Sequence, residues 1–158
     1  LRAQFRLKDV LVEQADNYDF VLIDCPPALS MLTINGLIAA DGVIIPVQCE
    51  FFALEGIAAL IETIDQVRGS HNPDLVIDGV LRTMYDPRTS LTRQVSQQLE
   101  QFFGDRVLKT VIPRNVRLAE APSHGLPVLR YDRLSKGALS YLALASELRK
   151  RLRLKKAA

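Results

Sequence analysis

Residues 42–47 read GVIIPV, a short run of β-branched and other apolar residues from which the fold of the chain can be predicted. Such a run is typical of a buried strand in a parallel sheet. One similar run precedes it, YDFVLID at 18–24, and two follow it, LVIDGVL at 75–81 and VLKTVI at 107–112. The sequence therefore predicts four buried strands.

Helical patterns separate these runs. They cover the residues up to about 17, then 30–40, 53–68 and 89–103, and the chain from about 135 into its tail. Residues 53–68 carry a wide apolar stripe, and Thr89 or Ser90 is the candidate N-cap of the next helix. Strands that alternate with helices predict an α/β fold, with a mainly parallel sheet and helices on both faces. We expect one domain over residues 1–158, with a basic tail at 148–158.

The composition fits a globular protein. The 158 residues are 48% hydrophobic and 24% charged, which excludes a disordered chain, and no apolar run reaches the length of a membrane span. The formal net charge is only +2, but basic residues are concentrated in the second half and in the tail LRKRLRLKKAA. Either an anionic partner or a solvated basic face accounts for that asymmetry.

The two cysteines, Cys25 and Cys49, are too few for a disulfide framework. Because each lies among apolar residues, we interpret both as reduced core thiols of a cytoplasmic protein. The first residues have no signal-peptide pattern, which agrees with that compartment. His124 is interpreted as a loop residue and not as a catalytic base.

Candidate functional residues follow the predicted strands, because ligands of open α/β sheets bind beyond the carboxyl ends of the strands. Asp24 closes the first apolar run, and it is either a Mg²⁺-binding acid of a phosphoryl-transfer site or the cap of the following turn. After the third and fourth runs come two segments, 83–89 and 113–125, which we expect to be surface loops. Arg88 and Arg117 in these segments can each donate a fork of hydrogen bonds to a phosphate.

Three stretches carry a resemblance to a known family. They are YDFVLIDCPPALSMLTINGLIAADGVIIPVQCEFFALEG at 18–56, LRTMYDPRTSLTRQV at 81–95 and TVIPRNVRLAEAPSHGLPVLRYD at 110–132. Together they are similar to the ParA/Soj branch of the deviant-Walker ATPases, which are relatives of the MinD proteins. The resemblance covers residues 18–148 and implies a P-loop NTPase-like fold that uses ATP and Mg²⁺.

The resemblance also implies roles for individual residues in nucleotide binding. Asp24 matches the Walker B aspartate, which holds Mg²⁺ directly or through water, and Pro26-Pro27 lie in the second switch segment. The residues that match the surroundings of the adenine base are Met84, Pro113, Arg114 and Asn115.

Further matches concern macromolecular contacts. Gln48 and Glu50 lie where the family places residues close to the interface of an ATP-dependent homodimer. Arg88 and Arg117 match arginines that contact double-stranded DNA without reading its sequence, which suits phosphate contacts. The resemblance thus implies a nucleoid-associated protein of the cytoplasm that segregates a chromosome or plasmid together with a ParB-type partner.

One departure from the family is large. Its members carry a phosphate-binding loop of the KGGxGKT kind, but the glycines of this sequence never cluster and no Gly-Lys-Ser/Thr occurs in it. We therefore expect a C-terminal portion of such an ATPase that is inactive alone, with an apolar sheet edge prone to aggregation. The alternatives are a non-catalytic truncated paralogue that binds DNA or a partner, and a MinD-like membrane-associated regulator.

Overall fold

The computed structural model describes residues 2–14, 17–26, 28 and 30–156, with side chains inside the last helix described as far as residue 152. Pro27, half of the predicted second switch pair, lies outside the described residues, as does the very end of the predicted basic tail. None of the described helices is both long enough and apolar enough to cross a membrane.

Helices and strands alternate along the described chain. The elements are α1 (Arg6–Gln14), α2 (Met31–Ala39), β1 (Gly42–Gln48), α3 (Ala53–Ser70), β2 (Val76–Tyr85), α4 (Ser90–Phe103), β3 (Val107–Pro113), α5 (Val116–Glu120), α6 (Val128–Tyr131) and α7 (Lys136–Lys156). Short 3-10 turns cover Ala3–Phe5, Gly104–Arg106 and Ala121–His124.

The three strands form one sheet in the order β1-β2-β3, and β2 and β3 run parallel. The predicted α/β fold with a parallel sheet is thus confirmed. The predictions for 42–47 and 107–112 agree with β1 and β3, whereas β2 continues four residues beyond its predicted end, to Tyr85. Thr89 occupies the N-cap position of α4 but makes no capping hydrogen bond with its side chain.

The prediction of a buried strand at 18–24 is wrong for the described structure, which has no strand there. Most side chains of this segment are exposed, among them Tyr18, Phe20 and Leu22, whereas Ile23 is half-buried. Apolar, β-branched composition favours a strand, but a strand forms only where a neighbouring backbone completes its hydrogen bonds. The predicted burial of Cys25 is wrong for the same reason, because its thiol is free but exposed.

The expectation of a loop at 113–125 is also wrong in part. Helix α5 and a 3-10 turn occupy most of this segment, and α6 follows directly. Asn115 is the N-cap of α5, and its side-chain carbonyl accepts a hydrogen bond from the backbone N–H of Arg117 at 3.1 Å. Asparagine in this position satisfies one of the free N–H groups of the first turn, which is how so short a helix begins.

Backbone contacts divide the chain into two compact units. The first comprises Leu1–Ile44 with Glu55–Asp78, and the second comprises Ile45–Leu54 with Gly79–Ala158. In the first unit the side-chain amide of Asn72 donates to the carbonyls of Leu37 and Ala40, at 2.9 and 2.8 Å. This buried amide thereby holds the C-terminal end of α2. Ile38, Ile64 and Leu75 form the fully buried part of this unit.

The core of the second unit lies between the sheet and helices α4 and α7. Its fully buried side chains include Val80, Leu99 and Leu108. Helix α7 also contacts the backbone of β3, since the carboxylate of Glu147 accepts the N–H groups of Lys109 and Thr110, each at 2.8 Å. Strand β3 is at the edge of the described sheet, and this carboxylate takes the place of a further strand.

Candidate functional site at the ends of strands β2 and β3

The carboxyl ends of β2 and β3 are joined directly within the second unit. Tyr85 and Pro113 are register partners, and the backbone N–H of Arg114 donates to the carbonyl of Tyr85 at 3.2 Å. The structure therefore brings the predicted adenine-pocket residues together, because Met84 and residues 113–115 all lie at this joined end.

Met84 has an unusual backbone conformation, with φ of +50°. A non-glycine residue in this left-handed region is uncommon, and such conformations are concentrated at binding and catalytic sites. Its side chain is 43% exposed and so remains available to a ligand. Met84 is the second-last residue of β2, and the segment that carries Asp86 and Arg88 follows directly after Tyr85.

The segment after β2 is organised by the carboxylate of Asp86. This carboxylate accepts three hydrogen bonds from Arg88: from its backbone N–H at 3.1 Å, from Nε at 2.9 Å and from Nη2 at 2.7 Å. The side-chain bond from Arg88 is the main cause that lowers the pKa of Asp86 to about 2, and the positive charge of Arg114 adds to it. The guanidinium of Arg88 is 88% exposed and therefore points to solvent in a fixed orientation.

Arg117 is held by two acids. Its Nη1 lies 2.8 Å from Glu120 and its Nε lies 3.3 Å from Asp132, while the hydroxyl of Tyr131 donates to the same Glu120 carboxylate at 3.2 Å. The hydrogen bond from Arg117 is the main cause that lowers the pKa of Glu120. The Arg117 side chain is half exposed, and it is fixed in direction as Arg88 is.

Other basic residues near the strand ends are less constrained. Arg114, Arg130 and Arg133 are exposed, and within the part of the chain that the structure describes they form no ion pair. These three arginines therefore differ from Arg88 and Arg117, whose guanidinium groups are paired with acids.

The predicted dimer-interface residues lie at the carboxyl end of β1, with Gln48 as its last residue and Glu50 two residues later. Gln48 and Glu50 are exposed, and a tight turn joins them through a backbone hydrogen bond of 2.8 Å. Phe51 and Phe52 come next and are 75% and 72% exposed. This end of β1 thus presents two polar side chains beside two exposed aromatic rings.

Asp24 belongs to the first unit, where its side chain is exposed. The nearby turn is held by Thr33, whose hydroxyl donates to the carbonyl of Ala28 at 2.6 Å. Although Cys25 is exposed as a residue, partial desolvation of its thiol is the main cause that raises the thiol pKa, and the charge of the neighbouring Asp24 adds to it. Among the described residues no three acids, histidines or cysteines cluster as a metal would require.

We expect the pairing of Asp86 with Arg88 to be visible in a titration. In the wild-type chain the Asp86 carboxyl titrates near pH 2, and in Arg88→Gln its pKa returns towards the ordinary aspartate value of about 3.9. Because the folded-state pKa is lowered, the pair stabilises the fold above pH 4, and this stabilisation is lost as the pH falls towards 2. Carboxyl carbon chemical shifts measure both midpoints, with Arg93→Gln as the control; equal midpoints in wild type and Arg88→Gln would contradict the pairing.

Sequence reasoning missed Arg82, a buried arginine in the middle of β2. Its guanidinium donates to the hydroxyl of Ser96 at 2.7 Å, to the carboxylate of Glu100 and to the carbonyl of Leu108 at 2.9 Å. The available signal was the position of a charged residue inside an otherwise apolar strand, since such a charge needs partners when it is buried.

Comparison with known proteins shows what this chain is similar to. The profile of a family described as an AAA domain matches residues 1–77. The sporulation initiation inhibitor protein Soj of Bacillus subtilis is 55% identical over 91% of this chain and 57% of its own length. The chromosome partitioning protein ParA of Caulobacter vibrioides is 55% identical over 92% of this chain and 55% of its own length.

Solved structures agree with these matches. Cobyrinic acid a,c-diamide synthase of Mycobacterium smegmatis, solved with bound ADP and magnesium, is 36% identical with a TM-score of 0.78, covering 96% of this chain and 55% of that one. The cell division ATPase MinD of Pyrococcus furiosus gives a TM-score of 0.75 over 93% of this chain and 58% of that one. At 23% identity, the likeness to MinD concerns the fold alone.

The fold and these matches define the class: an α/β protein with the fold of the P-loop NTPases. Within that class the chain belongs with the ParA/Soj-type partitioning ATPases, which confirms the resemblance seen in the sequence. The chain spans about half the length of the curated relatives that it matches.

Proposed function

We propose that this chain forms the base-binding and DNA-binding part of a ParA/Soj-type ATPase that segregates a chromosome or plasmid. The observation that carries the proposal is the hydrogen bond from the N–H of Arg114 to the carbonyl of Tyr85, which joins two predicted halves of an adenine site. The name of the Caulobacter vibrioides relative, chromosome partitioning protein ParA, supports chromosome partitioning as the process that the intact protein serves.

The residues present fit one end of a nucleotide. Met84 offers an exposed thioether, and residues 113–115 lie beside it at the joined strand ends, so that a planar base can be held between them. The phosphate end is different, because no Gly-Lys-Ser/Thr occurs in the 158 residues. ATP with Mg²⁺ supplies the phosphoryl chemistry of such enzymes, and Asp24 is the residue that we assign to Mg²⁺.

The DNA contact is assigned to Arg88 and Arg117. Their acid partners restrict the rotation of each side chain and leave an exposed edge of the guanidinium towards solvent. A guanidinium held in this way loses less entropy when it meets a phosphate, and phosphate contacts do not depend on base sequence. The intact protein is further proposed to form an ATP-dependent homodimer, with Gln48 and Glu50 near the interface. It acts together with a ParB-type partner.

A nucleotide titration tests the base site. We expect ADP to shift the amide signals of Met84, Arg114 and Asn115 in this chain weakly, whereas GDP at the same concentration leaves them unchanged. The chain alone shows no ATP hydrolysis, and an intact polypeptide that joins it to a KGGxGKT loop hydrolyses ATP. Shifts that are absent, or equal for both bases, would contradict the adenine site, and an intact polypeptide without turnover would favour the non-catalytic alternative.

A further inference from the structure

The pairing of β2 with β3 is irregular on both sides of Arg82. The register pairs are Val80 with Val107, Arg82 with Val111 and Tyr85 with Pro113. Between the first two pairs β3 contains three residues, 108–110, where β2 contains one, and between the last two pairs β2 contains the extra residue. The strand register is therefore irregular at residues 108–110, which we call the β3 bulge.

Side chains from two elements bind backbone groups of the β3 bulge. Nη2 of Arg82 donates to the carbonyl of Leu108 at 2.9 Å, and the carboxylate of Glu147 accepts the N–H groups of Lys109 and Thr110. Arg82 is bound to α4 at the same time, through Ser96 and Glu100. One guanidinium thus connects the β3 bulge, strand β2 and helix α4.

Keeping Arg82 in this place has a cost. Its side chain is only 10% exposed, and its Nε is buried without a hydrogen-bond partner among the described residues. Buried charges rarely add net stability when compared with apolar residues of similar size, so stability alone is a weak reason for an arginine here.

We propose that Arg82 is a positioning residue of the base site. By holding the β3 bulge it fixes the offset between the ends of β2 and β3, and so the distance of Met84 and Asp86 from residues 113–115. Arg82 lies two residues before Met84 in the chain. The Cζ atom of its guanidinium is 6.0 Å from the ring centroid of Tyr85. The carbonyl of Tyr85 in turn accepts the hydrogen bond from the N–H of Arg114. The positioning role rests on the proposed function, because it presupposes the base site. The effect of Arg82 on the geometry of the strand ends can nevertheless be tested without nucleotide.

Amide hydrogen exchange of the 158-residue chain separates positioning from plain stability. In Arg82→Met we expect exchange at the Arg114 amide to speed up about tenfold more than exchange at Leu99, a buried α4 residue that reports global opening. Glu100→Gln removes the ion pair with Arg82 but leaves the bond from Arg82 to the carbonyl of Leu108. The ratio of the exchange rate at Arg114 to that at Leu99 therefore stays as in the wild-type chain. Arg106→Met replaces an exposed arginine that lies away from the carboxyl ends of β2 and β3, and it also leaves this ratio unchanged.

Three outcomes overturn the inference: equal acceleration at Arg114 and Leu99, no acceleration at Arg114, or the same ratio in Glu100→Gln as in Arg82→Met. Should Arg82→Met fail to fold, the same ratio is measured in Arg82→Lys. We then expect the exchange at Arg114 to speed up more than that at Leu99, but by less than tenfold. An ADP titration of the wild-type chain tests the base site separately, so a failure of the proposed function is distinguishable from a failure of the positioning role.

Discussion

Replacing both Arg88 and Arg117 with glutamate lowers the affinity of the intact, ATP-loaded protein for duplex DNA by about tenfold to a hundredfold at low salt. Two phosphate contacts are lost, so the slope of log affinity against log salt becomes shallower by about 2. The loss is the same for unrelated DNA sequences, because phosphate contacts carry no base information. ATP hydrolysis without DNA is retained.

Filter binding or fluorescence anisotropy over a series of salt concentrations measures both quantities. The matched control is the double variant Arg68→Glu and Arg106→Glu, which changes the net charge equally at arginines outside the segments that follow the carboxyl ends of β2 and β3. If the control loses as much affinity as the Arg88 and Arg117 variant, net charge and not the position of these side chains governs binding. Unchanged affinity in the variant itself would remove both arginines from the DNA site.

The second large effect concerns Glu147. Glu147→Gln lowers the free energy of unfolding by about 1.5–3 kcal/mol at neutral pH, the range typical of hydrogen bonds to a charged group. The carboxylate accepts two N–H groups of the β3 bulge and is paired with Arg151, whose Nη2 lies 3.1 Å away. An amide in its place can accept only one of the two bonds well and directs its NH₂ group at the other donor.

The effect of Glu147 depends on pH in a defined direction. Burial opposes the charged form, but the bonds from Thr110 and Lys109 and the charge of Arg151 outweigh it and lower the pKa of Glu147. Its stabilisation is therefore present above the ordinary glutamate pKa of about 4.3 and is lost as the pH falls through the lower folded-state value. The difference between wild type and Glu147→Gln shrinks accordingly in acid.

Urea unfolding at a series of pH values measures this difference, and Glu62→Gln on α3 is the control for loss of an exposed carboxylate. Equal unfolding free energies for wild type and Glu147→Gln at neutral pH would show that the edge contact contributes nothing. A difference that persists unchanged in acid would contradict the role of the carboxylate charge.

Local sequence patterns were sufficient for three strands and for most of the long helices. GVIIPV at 42–47 and VLKTVI at 107–112 became β1 and β3 because each has β2 as a neighbouring strand in the described sheet. YDFVLID at 18–24 has the same pattern and is not a strand in the described structure. The pattern records how a segment would be buried, but it holds no information on whether a partner strand lies beside it.

For the candidate site, the sequence by itself determined which residue types follow the strands and which family they resemble. Only the tertiary structure decided which of them meet: the bond between Arg114 and Tyr85, the two acids on Arg117, and the β3 bulge held by Arg82 and Glu147. Apart from the pair Arg117 with Glu120, these contacts join residues from 15 to 38 positions apart, the shortest being Arg117 with Asp132 and the longest Lys109 with Glu147. The reason is physical, since side-chain propensity and periodicity act within a few residues, whereas hydrogen bonds between strand ends and helices depend on how distant segments pack.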